Sequence, residues 1–275
     1  MRGYADRPHV KPPSWHGLVV ADILFNNLAT GLFLAAAIGD LVAPRVFAAV
    51  ARVAYPVALG LLVLDLACLV VELGDPLRFH HMLRVFKARS PMSVGAWSLV
   101  AFSLPLGLLA AMTILGFSPA WLGVRRVLAA VGLVPALAAA MYKGVLFSTT
   151  AQPGWRDARW LGGYLATSAV LLGSAELVVL AILLGEAAAT SALRAAVLGL
   201  LVVNGAGLAL VGKDVPRLAR PAAVAGGLGI AAPLVLAWRS GAALLVTAAL
   251  LAVAGALVVR RALVQLPHEP APRHG

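Results

Sequence analysis

The sequence contains eight separate stretches of about 20 residues that are almost entirely apolar. At a rise of about 1.5 Å per residue, a helix of that length crosses the hydrocarbon core of a bilayer. The chain is 61% apolar and only 12% charged, which is outside the range of soluble domains. Alternating segments of the kind that build a membrane β-barrel do not occur. The sequence therefore predicts an all-α integral membrane protein with eight transmembrane spans, at residues 17–38, 50–71, 94–115, 127–147, 160–184, 192–211, 222–238 and 242–259.

The net charge of +11 resides in loops and at span ends and forms no patch on a soluble domain. Membrane orientation and lipid headgroups explain it better than nucleic acid does. With eight spans, both termini and the loops after spans two, four and six share one side, which we name side A. Most Lys and Arg residues fall there, with Arg260 and Arg261 counted among them, whereas Arg125 belongs to the opposite side B. The positive-inside rule places side A in the cytoplasm, although a docked partner could use the same charges.

Ionisable and amide side chains inside the spans are few, and each is costly in lipid unless it is paired. They concentrate in spans one, two and four. Asp22, Asn26 and Thr30 have i, i+4, i+8 spacing, which puts them on one helix face. Asn26 and Asn27 lie at nearly the same depth as Tyr142, counted from side A. These groups could line one cavity that opens to side A, or they could only join helices by hydrogen bonds. The set comprises Asp22, Asn26, Asn27, Thr30, Asp65, Glu72, Tyr142 and Lys143.

Lys143 and two further intramembrane residues, Glu176 and Asn204, each have more than one interpretation. Lys143 could be neutralised by Asp65, Glu72 or Asp22, or it could extend its ammonium group to side A. Glu176 in span five is either part of a proton path or a locally paired carboxylate. Asn204 in span six is best explained as an interhelical hydrogen-bonding residue. Asp22, Asp65, Glu72, Lys143 and Glu176 are the candidate proton carriers.

Cofactor ligands are scarce in this sequence. Haem held in a membrane bundle needs histidines within helices, but every histidine falls in a loop, a tail or a span edge. Cys68 is the single cysteine, so thiolates cannot hold an iron–sulfur cluster or zinc. We therefore predict no bound haem, iron–sulfur cluster or metal, and any electrons would come from another subunit.

The loop at residues 73–93 is the one long connection, and it carries enough polar chemistry to dock a partner. It could equally be a basic surface that faces lipid headgroups. Its candidate docking residues are Arg78, His80, His81, Arg84, Lys87 and Arg89.

Residues 72–97 read ELGDPLRFHHMLRVFKARSPMSVGAW. This stretch, with its Leu-Gly-x-Pro-x-Arg run and its Ser-Pro-Met-Ser-x-Gly-x-Trp run, resembles the NrfD/polysulfide-reductase membrane-subunit family. Trp15 through Asn26-Asn27 to Thr30-Gly31, and the segment from Tyr142 to Trp155, are similar as well. The resemblance covers roughly residues 15–160, and the last four spans agree mainly in number and hydropathy.

That resemblance implies a quinone-reactive anchor subunit of a multi-subunit respiratory oxidoreductase in a bacterial inner membrane, which is not catalytic alone. It implies two four-helix bundles, at 17–148 and 160–259, between a polar lead-in at 1–16 and a polar tail at 260–275. Menaquinone or ubiquinone would be the substrate, with its headgroup against Asn26, Asn27 and Tyr142. A ferredoxin-like iron–sulfur subunit would dock on the membrane subunit, often beside a molybdopterin or haem subunit. Many relatives receive that partner on the outer face, so the side on which it docks stays open.

Two other interpretations fit the composition. A secondary transporter with a polar site in spans one, two and four would contain inverted repeats with broken helices at matching positions. A purely structural anchor would bind partners without binding quinone, and it would be indifferent to loss of the Tyr142 hydroxyl.

Overall fold

The structure, a computed structural model, describes residues 17–73, 75–116, 121–152, 154–239 and 241–268. The lead-in at 1–16 and residues 269–275 lie outside this part. Eight helical segments within it are long and apolar enough to cross a membrane, so the protein is a multi-pass membrane protein, as the sequence predicts. The first six spans are α1 Gly17–Val42, α2 Pro44–Glu72, α3 Pro91–Ile114, α4 Leu122–Ser148, α5 Leu161–Leu183 and α6 Ala187–Asp214.

The seventh span is built from several pieces. A 3₁₀ turn at Pro216–Leu218 leads into α7 Ala219–Gly226, a π-helical turn at Gly227–Ala231 and α8 Ala232–Arg239. The corresponding third span, α3, is a continuous helix although it contains Pro105. The interruption of the seventh span thus has no counterpart in the first half, unlike the paired broken helices that a transporter with inverted repeats would show.

The eighth span, α9 Ala242–Gln265, is followed by a 3₁₀ turn at Leu266–His268. It runs past residue 259, where the apolar stretch ends. Residues 260–268, which the sequence assigns to a polar tail, are therefore part of the fold. The buried Trp155 attaches this segment to the rest of the protein, because its ring nitrogen donates a hydrogen bond of 2.6 Å to the Leu263 carbonyl.

The helices form two rings of neighbours, in agreement with two four-helix bundles. In the first ring α1 packs on α2, α2 on α3, α3 on α4, and α4 on α1. In the second, α5 packs on α6, α6 on α7 and α8, and α9 closes the ring against α5. The rings share a broad junction of α1 and α4 with α5, and of α1 with α9. α1 is consequently the most enclosed helix of the first ring.

Gly31 of α1 and Gly173 of α5 make this junction close. A Cβ atom on either glycine would overlap the backbone of the other helix. Small residues at such crossings let transmembrane helices approach closely enough to gain van der Waals contact. The crossing brings α5 and α9 within reach of the polar residues of α1.

The Ser-Pro-Met-Ser sequence forms the start of α3. Ser90 is its N-cap and accepts a 3.4 Å hydrogen bond from the Ser93 amide, while Pro91 occupies the first turn, where no amide donor is needed. The Ser93 hydroxyl accepts a 2.9 Å bond from the Lys87 amide. This motif thereby ties the end of the long loop to the first turn of α3.

Candidate functional site

Lys143 lies at the centre of a buried ion-pair cluster between α1, α2 and α4. Its ammonium nitrogen is 2.8 Å from Asp22 Oδ1, 2.8 Å from Asp65 Oδ1 and 3.0 Å from the Asp22 carbonyl oxygen. All three side chains are buried. A buried ammonium group requires such partners for its charge and its three donors. Of the alternatives for Lys143, neutralisation by Asp22 and Asp65 is confirmed, and extension of the ammonium to the surface is wrong.

Asn26 extends the cluster along α1. Its amide nitrogen donates to Asp65 Oδ2 at 3.0 Å, so Asp65 accepts from Lys143 on one oxygen and from Asn26 on the other. The Thr30 hydroxyl donates to the Asn26 carbonyl oxygen at 2.6 Å. Asp65 is thus held on both sides, deep within the first bundle.

Asn27 points to different partners. Its amide nitrogen donates to the Ala140 carbonyl at 3.0 Å, and its side-chain oxygen accepts from Arg260 at 2.5 Å. The Arg260 guanidinium also donates to Ser168 Oγ at 3.2 Å and to the Ala256 carbonyl at 3.0 Å. Arg260 is fully buried, so its assignment to the charges of side A is wrong. It instead links the second bundle to the polar face of α1.

A cavity of about 110 Å³ opens beside this cluster at the side-A end of the first bundle. Its wall is formed by the beginnings of α1 and α3 and the ends of α2 and α4. The polar part of the wall is Asp22, Glu72, Tyr142 and Lys143. The apolar part is Val19, Ile23, Leu69, Leu73, Met92, Leu146 and Phe147. The cavity therefore suits a ligand with a small polar end and an apolar body.

Gly95 fixes the position of Tyr142 in this wall. A Cβ atom at residue 95 would overlap the tyrosine ring, so only glycine allows the ring to lie against α3. The centroid of the same ring is 5.6 Å from the Lys143 ammonium nitrogen. The glycine of the Ser-Pro-Met-Ser-x-Gly-x-Trp run thus has a clear structural role beside the cavity.

The structure sorts the predicted site residues into three groups. Asp22, Glu72, Tyr142 and Lys143 line the cavity. Asp65, Asn26 and Asn27 lie behind it and take no part in its wall. Glu176 and Asn204 lie elsewhere: one carboxylate oxygen of Glu176 is buried without a hydrogen-bond partner among the described residues, and Asn204 donates to Thr167 Oγ1 at 3.2 Å.

The long loop forms an exposed surface directly above the cavity. Its centre is a 3₁₀ helix, Pro76–Leu83, and its two ends, Leu73 and Met92, belong to the cavity wall. Arg78 Nε lies 2.9 Å from Asp75 Oδ2, and both side chains remain exposed. The predicted docking residues are all exposed, namely Arg78, His80, His81, Arg84, Lys87 and Arg89.

A second buried ion pair near side B was not predicted. Arg125 of α4 lies 2.8 Å from Asp40 of α1, and the Tyr55 hydroxyl of α2 is 3.4 Å from the same carboxylate oxygen. Asp40 and Arg125 stand at the ends of apolar stretches, where charged residues normally face water or headgroups. Composition alone thus gives no sign that these two meet.

Comparison with known proteins assigns this chain to no family. No protein-family model matches the chain, and no curated protein matches it. The similarity of residues 15–160 to the NrfD family therefore stays a prediction, and the cavity and its neighbours carry the functional inference.

Proposed function

We propose that this protein is the quinone-reactive membrane subunit of a multi-subunit oxidoreductase, and that the headgroup of menaquinone or ubiquinone binds in the side-A cavity. The observation that carries the proposal is the cavity wall, which combines a tyrosine, a lysine and two carboxylates with apolar side chains. A quinone has the matching shape, with polar carbonyls on a flat apolar ring.

The cavity residues suit the chemistry of this substrate. Reduction of a quinone to a quinol takes up two electrons and two protons, and oxidation releases them. The carbonyl oxygens need hydrogen-bond donors, which the Tyr142 hydroxyl supplies beside the positive charge of Lys143, and the protons need carboxylates that exchange them. Asp22 and Glu72 line the cavity for that role. Asn26 and Asn27 lie behind the cavity wall, where they form hydrogen bonds with Asp65 and Arg260, respectively.

The electrons would pass to or from a docked iron–sulfur subunit, because the sequence, with one cysteine and no histidine within a span, predicts no ligand set for a redox centre in this chain. The loop at 73–93 supports this arrangement, since its ends form part of the cavity wall and its basic residues are exposed. A partner on this surface would sit directly above the quinone headgroup. Such an assembly belongs to a bacterial inner membrane.

Quinone binding to the full-length protein in lipid nanodiscs tests the proposal. We expect Tyr142→Phe to weaken binding about fivefold, the effect of losing one hydrogen bond of about 1 kcal/mol. Tyr164→Phe is the matched control, because Tyr164 is also buried but faces the second bundle. The proposal fails if the wild-type protein binds no quinone, or if the two variants bind it equally well.

A further inference from the structure

A second cleft lies next to the cavity, between α2, α3 and the 3₁₀ helix Pro76–Leu83. Its volume is about 160 Å³. Leu66 and Val70 of α2 face Leu99 of α3 across it, and Phe79 and Met82 of the 3₁₀ helix contribute to its wall. The cleft is therefore an apolar groove on the side of the first bundle, adjacent to the cavity.

Two leucines separate the cleft from the cavity. Leu69 in the last turn of α2 and Leu73, the residue that follows the helix, line both spaces. Both side chains are only partly buried. A flexible chain that left the cavity past these two residues would enter the cleft at once.

Among the residues that the structure describes, the wall of the cleft offers nothing to a polar ligand. Ser103 has the one hydroxyl in its wall, and that hydroxyl already donates to the Val100 carbonyl at 2.9 Å. The remaining lining is aliphatic apart from Phe79, and methionine and leucine side chains adapt to a branched hydrocarbon. The occupant that fits is a hydrocarbon chain.

We propose that the cleft holds the isoprenoid tail of the quinone, which leaves the headgroup cavity past Leu69 and Leu73. This inference rests on the proposed quinone site, because continuity with that cavity is what favours a quinone tail over a lipid acyl chain. It makes the 3₁₀ helix Pro76–Leu83 a part of the substrate site, with Phe79 and Met82 packed on the tail. The same helix carries exposed docking residues such as Arg78 and His80.

Photocrosslinking with two quinone probes tests the inference in the full-length protein in nanodiscs. One probe carries a diazirine on the headgroup, and the other carries it on the second isoprene unit of the tail. We expect the headgroup probe to label the cavity wall around Tyr142, and the tail probe to label the cleft, at Val70 and Leu99. Excess unlabelled long-tail quinone should suppress both labels.

A blocking variant gives an independent readout. Val70 lines the cleft but not the cavity, so Val70→Trp should reduce the tail label in the cleft by about tenfold through lost space and contact, with the headgroup label retained. Val63→Trp is the control, because Val63 lies on the exposed face of the same helix.

The outcomes separate the two proposals. Headgroup labelling of the cavity with tail labelling on other helices overturns the tail path and leaves the quinone site standing. Cleft labelling by an acyl-chain diazirine phospholipid that excess quinone does not displace identifies a lipid site and also overturns it. Absence of headgroup labelling in the cavity refutes the proposed function itself.

Discussion

Replacing Lys143 with methionine tests the ion-pair cluster most directly, because one ammonium group serves two buried carboxylates. Methionine is similar in length but removes three contacts of 2.8–3.0 Å. Asp22 and Asp65 would then face each other without a cation. Removing one partner of a buried ion pair destabilises a protein by about 3–5 kcal/mol. We expect a loss of free energy of unfolding at the upper end of this range, because two carboxylates lose their partner.

Neutralising the carboxylates should reverse most of this loss. In the triple variant Lys143→Met, Asp22→Asn, Asp65→Asn, no ionised group remains in the cluster, and the amide at position 65 still offers an oxygen to Asn26. Buried neutral amides with hydrogen bonds are far less costly than unpaired carboxylates. We expect the triple variant to recover at least about 2 kcal/mol relative to Lys143→Met.

The measurement is reversible unfolding of the purified full-length protein in bicelles, by titration with sodium dodecyl sulfate and detection by tryptophan fluorescence. Lys213→Met is the control, since Lys213 is exposed at the end of α6, and we expect it to change stability by less than about 0.5 kcal/mol. If Lys143→Met behaves like this control, or if the triple variant is no more stable than the single one, the carboxylates do not depend on Lys143 and the reasoning is refuted.

Two further variants probe the cavity itself. We expect Gly95→Ala to displace the Tyr142 ring and lower quinone affinity at least about threefold. Gly107→Ala is the control on the same helix, because a Cβ atom there meets open space, and it should leave binding unchanged. Equal affinities of the two variants would contradict the packing role of Gly95. Glu72→Gln should leave quinone affinity within about twofold but slow quinol-dependent electron transfer in the assembled complex at least about tenfold. Glu186→Gln, near side B, is the control. An unaltered rate in Glu72→Gln would remove Glu72 from the proton path.

The span pattern and the depth of the polar residues already place much of the site. Hydropathy predicts all eight spans, and the i, i+4 spacing of Asp22 and Asn26 correctly puts both on the face of α1 that meets Asp65. The cost of an unpaired ammonium at that depth makes pairing of Lys143 with these carboxylates one of two alternatives, and the structure selects it. These successes share a cause: the cost of unpaired charge in lipid leaves few arrangements.

Helix rotation is what the sequence leaves undetermined. Successive residues of a helix point about 100° apart, so the neighbours Asn26 and Asn27 point in different directions. The structure turns Asn26 to Asp65 and Asn27 to Arg260, and it gives the cavity wall to Tyr142 instead. Nothing in the pattern of apolar residues on α1 reveals this rotation, because the helix is apolar on nearly every side.

Arg260 shows a second limit. An arginine that ends an apolar stretch and precedes Arg261 is typical of a cytoplasmic border, and the positive-inside rule treats it so. Its burial depends on α9 continuing to Gln265 and on the close crossing of α1 with α5, which brings Ser168 and Asn27 within reach. Both conditions are tertiary, so they become visible only in the packed structure.

The charges of this buried network determine which carboxylate is free to exchange protons. Asp22 and Asp65 share a single buried cation, Lys143, whereas Arg260 donates to Asn27, Ser168 and the Ala256 carbonyl and to neither carboxylate. A proton on either Asp65 oxygen would displace the hydrogen bond that this oxygen accepts, from Lys143 or from Asn26. Glu72 stands outside the Lys143 ion pairs, half-buried at the mouth of the cavity. Within the proposed function, Asp65 therefore holds Lys143 and Asn26 in place, and Asp22 and Glu72 at the cavity wall are the carboxylates that exchange protons.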